Sequence, residues 1–263
     1  MNASSNVSLP SRVAPNQSHA FGGIWRLTFR RFLFPGHWLM VAFALAVLTL
    51  VAFASAHGRG DDSSRYLNWL IRFYVTGLVP ALAFMSAGGA MRDELKSGTV
   101  DYVLTRPVRR PAFIVFKYVA HMICTQVDFI FALAVVLAVG VTRDVPGLAA
   151  LAPKLLFGQV LMVAAFSAFG FLGGVLTSRY VIIGLAYGAV IEAGVGQIPT
   201  QLSRLSMTHQ MGDLLRSFME SVPLADGPVA WITTGLVLAF TALMLAAAAG
   251  IFTVRELSTP ADA

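Results

Sequence analysis

Six long apolar runs constrain this chain more than any other feature. They cover residues 38–56, 69–91, 111–140, 153–177, 181–199 and 228–254. A helix needs about 20 mostly apolar residues to cross the hydrocarbon of a bilayer, and inside lipid the backbone must satisfy its own hydrogen bonds. The runs therefore predict an all-α polytopic membrane protein, with six transmembrane helices between residues 37 and 254. The fifth run is short, and the third is long enough to begin outside the hydrocarbon. Composition agrees: 57% of the residues are hydrophobic and 12% charged, against about 25% charged in a soluble domain. The one cysteine, Cys124, lies within an apolar run, so no internal disulfide forms and no redox compartment can be read from it.

An even number of spans puts both termini on one side, and the flanking cations choose the side. With the N-terminus inside, the cytoplasmic flanks hold twelve of the 19 Lys and Arg residues, namely Arg12, Arg26, Arg30, Arg31, Arg92, Lys96, Arg106, Arg109, Arg110, Lys117, Arg179 and Arg255. Arg59, Arg65, Arg72, Arg143, Lys154, Arg204 and Arg216 fall outside. Both termini, with tails at 1–20 and 255–263, are expected in the cytoplasm of a cell bounded by this inner membrane. The net charge of +6 is then the mark of cytoplasmic arginines, and no nucleic-acid partner is expected. Ala54-Ser55-Ala56 resembles a signal-peptidase site, but the region before the first run is too long for a signal peptide, so an uncleaved anchor is expected. The Ser, Asn and Pro content of residues 1–20 predicts a disordered tail.

Residues 21–36 predict a helix lying in the membrane interface. Trp25, Phe29 and Phe32 form an apolar stripe, Arg26 and Arg30 stand beside it at i, i+4, and Pro35-Gly36 separates it from the first span.

A polar island, DELKSGTVDYVLTRPVRRPAFIVFKY (residues 93–118), interrupts the apolar sequence. Asp93, Glu94 and Lys96 are expected to carry the second span onward into water. Gly98 breaks the helix, Thr99 is a suitable N-cap for a new short one, and Asp101 in its first turn suits the helix dipole. Val100, Val103 and Leu104 share one face, Pro107 ends the helix, and Arg106, Arg109 and Arg110 follow. A short helix with an exposed apolar face, set between two spans over residues 92–110, calls for a groove in a partner.

That stretch resembles the ABC-2 type permeases, on Glu94, Gly98-Thr99, Asp101, Tyr102, Leu104, Pro107, Arg110 and Lys117-Tyr118. A second stretch, EAGVGQIPTQLSRLSMTHQMGDLL, is similar to the family's Glu-bearing fifth span and the segment after it, although Met207 stands where a proline is common. The resemblance implies that Glu94, Gly98, Thr99, Val100, Asp101, Tyr102, Val103, Leu104 and Arg106 contact a separately encoded ATPase, present in two copies, and that a second permease copy completes a homo- or heterodimer. ATP and Mg would belong to that partner, and no cofactor is expected on this chain.

Independently, the sequence holds no Gly-Lys dipeptide and hence no P-loop. His19, His37, His57, His121 and His209 show no metal-ligand spacing, and no catalytic constellation occurs, so an enzyme is not expected. Asp128 and Glu192 lie inside apolar runs, where ionisable groups are costly and mark candidate transport routes. Counting at 1.5 Å per residue places both near mid-membrane. Glu192 shares a stripe with Gly184, Gly188 and Gly196, which fits either a route or a hydrogen bond across a packed face. Gly170 and Gly174 form a further small-residue pair. In residues 200–227, expected outside, Met211, Leu214, Leu215 and Phe218 form one helical stripe. An ATP-driven exporter of lipid-like, peptide or drug-like cargo is the leading expectation; an ion-gradient transporter using Asp128 and Glu192 is the alternative.

Overall fold

The computed structural model describes residues 17–56, 62–96, 110–192, 194, 206–219 and 227–254. Among these the chain is helical throughout. Helix α1 spans Gln17–Phe32 and α2 Pro35–Ser55; α3 (Asp62–Trp69) runs through a π-helical stretch, Leu70–Leu78, into α4 (Val79–Lys96). Then come α5 (Arg110–Thr142), α6 (Leu148–Leu176), α7 (Tyr180–Tyr187) with a π turn at Gly188–Glu192, α8 (Met207–Met219) and α9 (Gly227–Val254). Among the described residues, five helical stretches are long and apolar enough to cross a membrane: Pro35–Ser55, Arg65–Lys96, Arg110–Thr142, Leu148–Leu176 and Ala230–Val254. Of the run at 181–199, residues 193 and 195–199 lie outside the described residues. Its described part is the shorter apolar helix Tyr180–Glu192, about 20 Å at 1.5 Å per residue, against about 30 Å of hydrocarbon.

Proline explains two of the irregularities. Pro80 has no N–H to return to the preceding turn, and its ring crowds the carbonyl four residues back. The turn before it widens accordingly, with the Val79 N–H bonding Tyr74 O, five residues back. Pro35 sits at the first position of α2, where a missing N–H costs nothing, and Phe34 before it is extended. The α1–α2 break therefore falls where the sequence placed it. Helix α1 begins earlier than expected, so residues 17–20 join it rather than the tail.

Helix α6 is the centre of the bundle. Its apolar residues point in all directions, as a helix surrounded by others requires, and Leu155, Met162, Val163, Ala165, Ala168, Phe171 and Val175 are buried. The closest approach is to α4. A Cβ built on Gly170 would stand 2.4 Å from Phe84 O, and one on Gly174 2.7 Å from Gly88 O. Backbone therefore packs on backbone, and the Gly170/Gly174 pair is the seam itself. Gly88 is pinned from its other side by the Tyr180 ring. Of the stripe expected around Glu192, Gly184 faces the Phe84 ring, Gly188 has nothing within 4 Å, and Gly196 lies outside the described residues.

Helix α8 lies on the bundle with its predicted stripe inward: Met211, Leu214 and Leu215 are buried, and Met211 and Leu215 fill the space left by Gly158 of α6. Replacing Gly174 by Leu should destabilise the bundle by about 1–3 kcal/mol or more, the usual cost of overpacking. Gly235→Leu, where an added Cβ meets nothing within 4 Å, should be tolerated. Melting of the two purified variants by thermal aggregation in detergent checks the contrast.

Candidate functional site: a buried ion pair beside an amphiphilic cavity

Helix α4 buries Ala87, Gly88 and Met91 against its neighbours, and Glu94, three residues past Met91, continues that face. Its carboxylate accepts a hydrogen bond from Lys117 Nζ at 2.8 Å, with both side chains at most 5% exposed. Lys117 also donates to Thr28 Oγ1 at 3.2 Å, while the Thr28 hydroxyl donates to Ile24 O at 2.9 Å. Arg31 closes the group from the rim, 3.4 Å from Glu94 and 3.9 Å from Asp93. One ion pair thus joins α1, α4 and α5 beside the ends of the two helices that flank residues 97–109. The expectation that Glu94 enters water is corrected. Helix α4 is still against α5 at this point, so its inward face remains covered, and Asp93 is the acid that turns out.

Helix α1 rests on the first half of α5, with Phe21 against Phe116 at 5.3 Å between ring centroids. Its buried stripe is Ile24, Thr28 and Phe32. Trp25 and Phe29 stack beside that stripe at 6.1 Å, and Arg26 and Arg30 are exposed. The expected stripe is thus rotated by one position, because Thr28 is held inward by Lys117.

Asp128 lies midway along α5. His37, in the first turn of α2, places Nε2 3.2 Å from Asp128 Oδ1. Helix α2 therefore starts level with the middle of α5, and α1 occupies the first half. Two turns back, His121 Nε2 lies 3.3 Å from Thr125 Oγ1 and 3.5 Å from Ser86 Oγ. These groups line one end of a cavity of about 760 Å³ between α2, α4 and α5. Thr28, Arg31, Asp93 and Lys117 also line it, and Met40, Phe43, Val47, Leu82 and Met85 contribute much of its apolar wall. A polar end and an apolar body make the cavity amphiphilic, in the size range of drug-sized ligand sites.

Asp128 and Glu192 are not brought together. Glu192 Oε2 accepts from the hydroxyls of Ser206 and Thr208 and from the Thr208 N–H at 3.3 Å. Ser206 Oγ accepts the His209 N–H at 3.0 Å, which caps α8. The carboxylate therefore sits at the positive end of α8, where a negative charge is favoured. The reading of Glu192 as a hydrogen-bonded structural acid has this geometry behind it. Gly98, Thr99, Val100, Asp101, Tyr102, Val103, Leu104 and Arg106 lie outside the described residues. Among the described residues no cluster of His, Cys, Asp or Glu could hold a metal.

Long apolar helices enclosing a buried ion pair and an amphiphilic cavity define a multi-pass membrane protein of the transporter type. Residues 34–191, more than half of the chain, match the ABC-2 family transporter proteins. The chain belongs to that family and is a permease-type membrane component of an ABC transporter. Such permeases typically work with an ABC ATPase. No curated protein matches the chain.

Sequence reasoning passed over Thr28, His37, Lys117 and His121 as site residues. For Thr28 the signal was present, since it lies four residues from both Ile24 and Phe32. Lys117→Met removes the buried partner of the Glu94 carboxylate, leaving Arg31 at the rim, and should cost up to about 3–5 kcal/mol, most of it recovered in Lys117→Met/Glu94→Leu; melting of the single and double variants measures this. Glu192→Ala should loosen α8, seen as faster amide exchange over residues 207–215 with exchange near Lys117 unchanged.

Proposed function

We propose that the chain is the transmembrane permease subunit of an ATP-driven exporter. It would move a lipid-like, peptide or drug-like substrate outward across the cytoplasmic membrane while a separate ATPase, in two copies, hydrolyses ATP. The observation that carries this reading is the ABC-2 match over residues 34–191, together with a sequence that has no Gly-Lys dipeptide and so no P-loop. In this reading the run from Val181 is the fifth of six spans, both termini are cytoplasmic, α1 lies in the inner interface, and a second permease copy forms the dimer.

The coupling segment is residues 98–106. Val100, Val103 and Leu104 enter a groove of the ATPase, and Asp101 and Arg106 meet charges at its rim. The Glu94–Lys117 pair supports this arrangement. It locks the end of α4 to α5, so a push on the intervening segment moves both helices as one body instead of fraying their ends. Asp128, on the cavity wall, lies on the route; Glu192 holds α8 over the bundle.

A gradient-driven transporter using Asp128 and Glu192 is the competing reading, and it needs no ATPase. The test separates the two. Leu104→Asp should release the ATPase or abolish substrate-stimulated ATP hydrolysis, while the permease still purifies as folded protein. Removing a single rim charge, at Asp101 or Arg106, should cost no more than about 1 kcal/mol of docking. Co-purification and stimulated hydrolysis both unchanged in Leu104→Asp would refute the coupling role.

A further inference from the structure

We propose that the cavity between α2, α4 and α5 binds a lipophilic cation, with its ammonium or amidinium head on Asp128 and its alkyl or aromatic body between α2 and α4. The inference rests on the exporter reading for its physiological meaning, since it names the class of cargo.

Charge at the polar end selects the sign. Lys117 is matched by Glu94 at 2.8 Å, and Arg31 reaches Glu94 and Asp93 at 3.4 and 3.9 Å. Asp128 has no such match. Among the described residues its ion-pair partner is His37, through Oδ1 alone, and no Lys or Arg pairs with it. Its side chain is 24% exposed and on the cavity wall. A carboxylate matched only by an imidazole, in an apolar wall, gains most from a cation that it can hydrogen-bond, because charge-assisted bonds strengthen as water is excluded. Arg31 and Lys117 also line the cavity but are taken up by Asp93 and Glu94, so an anionic head placed beside Asp128 would meet an unmatched like charge. Thr125, one turn before Asp128, and Ser86 and His121, about two turns before it, supply further hydrogen-bonding groups along the wall.

The walls select the body. Met40 and Phe43 of α2 are 68% and 72% exposed, and Leu82 and Met85 of α4 are 44% and 47% exposed. They line the cavity from opposite sides. An alkyl chain or aromatic group of drug size covers them within the available volume, whereas a small inorganic cation would leave them bare.

The test uses the whole chain in nanodiscs of zwitterionic lipid and a dansyl-tagged long-chain quaternary ammonium, with the sulfonate of the same chain as the control. The ammonium should bind saturably, and Asp128→Asn should weaken it by about 10-fold or more, the scale of one charge-assisted hydrogen bond. The sulfonate should bind weakly and respond little to Asp128→Asn. Leu82→Trp, which fills the wall, should lower binding of the ammonium too. Equal binding of the two probes, unchanged ammonium binding in Asp128→Asn, or no saturable binding because a second copy or lipid shuts the cavity would each overturn the proposal. If Asp128→Asn fails to fold, Asp128→Glu must retain ammonium binding and Leu82→Trp must reduce it, or the proposal fails. These readouts need no ATPase. Loss of ATPase docking with intact cation binding would count against the exporter reading alone, and the reverse against the cavity alone.

Discussion

Backbone meets backbone where Gly170 and Gly174 of α6 lie against Phe84 and Gly88 of α4, and the arrangement of the other helices follows from that seam. Lipid offers no hydrophobic drive between apolar helices, so close van der Waals contact must hold them, and small residues make it possible. With α4 fixed on α6, Phe84 reaches the site of Gly184, Tyr180 covers Gly88, and Tyr74 donates to Gln159 Oε1 at 2.7 Å across the same interface. The turn before Pro80 widens on the face where Tyr74, Val75 and Val79 are buried. A rigid pair results, against which the remaining helices pack.

The Glu94–Lys117 pair adds what close packing cannot. Two charges withdrawn from water are costly, and they are weak evidence for stability as such. Their value here is geometric. Lys117 contacts Thr28 and Glu94 together, so the register of α1, α4 and α5 is fixed at one point, adjacent to the segment that joins α4 to α5. A partner acting on that segment would act on all three helices. The cavity above the pair inherits its shape from the same contact, because α1 holds the start of α2 level with the middle of α5 and leaves a gap in front of α4.

Much of the architecture was legible in the chain. The apolar runs at 38–56, 69–91, 111–140, 153–177 and 228–254 became long helices because run length is a local property that lipid reads directly. Pro35 marked the α1–α2 break, and the Met211, Leu214, Leu215, Phe218 spacing marked the buried face of α8. The site was less legible. Glu94 looked like the start of a polar loop because its neighbours Asp93 and Lys96 are solvated, and only its position on the Ala87, Met91 face hinted otherwise. His37 gave no signal, since its partner Asp128 is 91 residues away.

By itself the sequence determined a helical membrane protein of the ABC-2 kind, the absence of a P-loop, and which acids lie in apolar surroundings, because composition, spacing and motif are properties of neighbouring residues. Only the tertiary structure decided what those acids sit beside. Glu192 and Asp128 are each an acid within an apolar run, yet one caps α8 through Ser206 and Thr208 and the other faces a cavity with a histidine beside it. Electrostatic and hydrogen-bond energies fall steeply with distance, so the role of a buried charge is set by whatever the fold brings within about 3 Å of it.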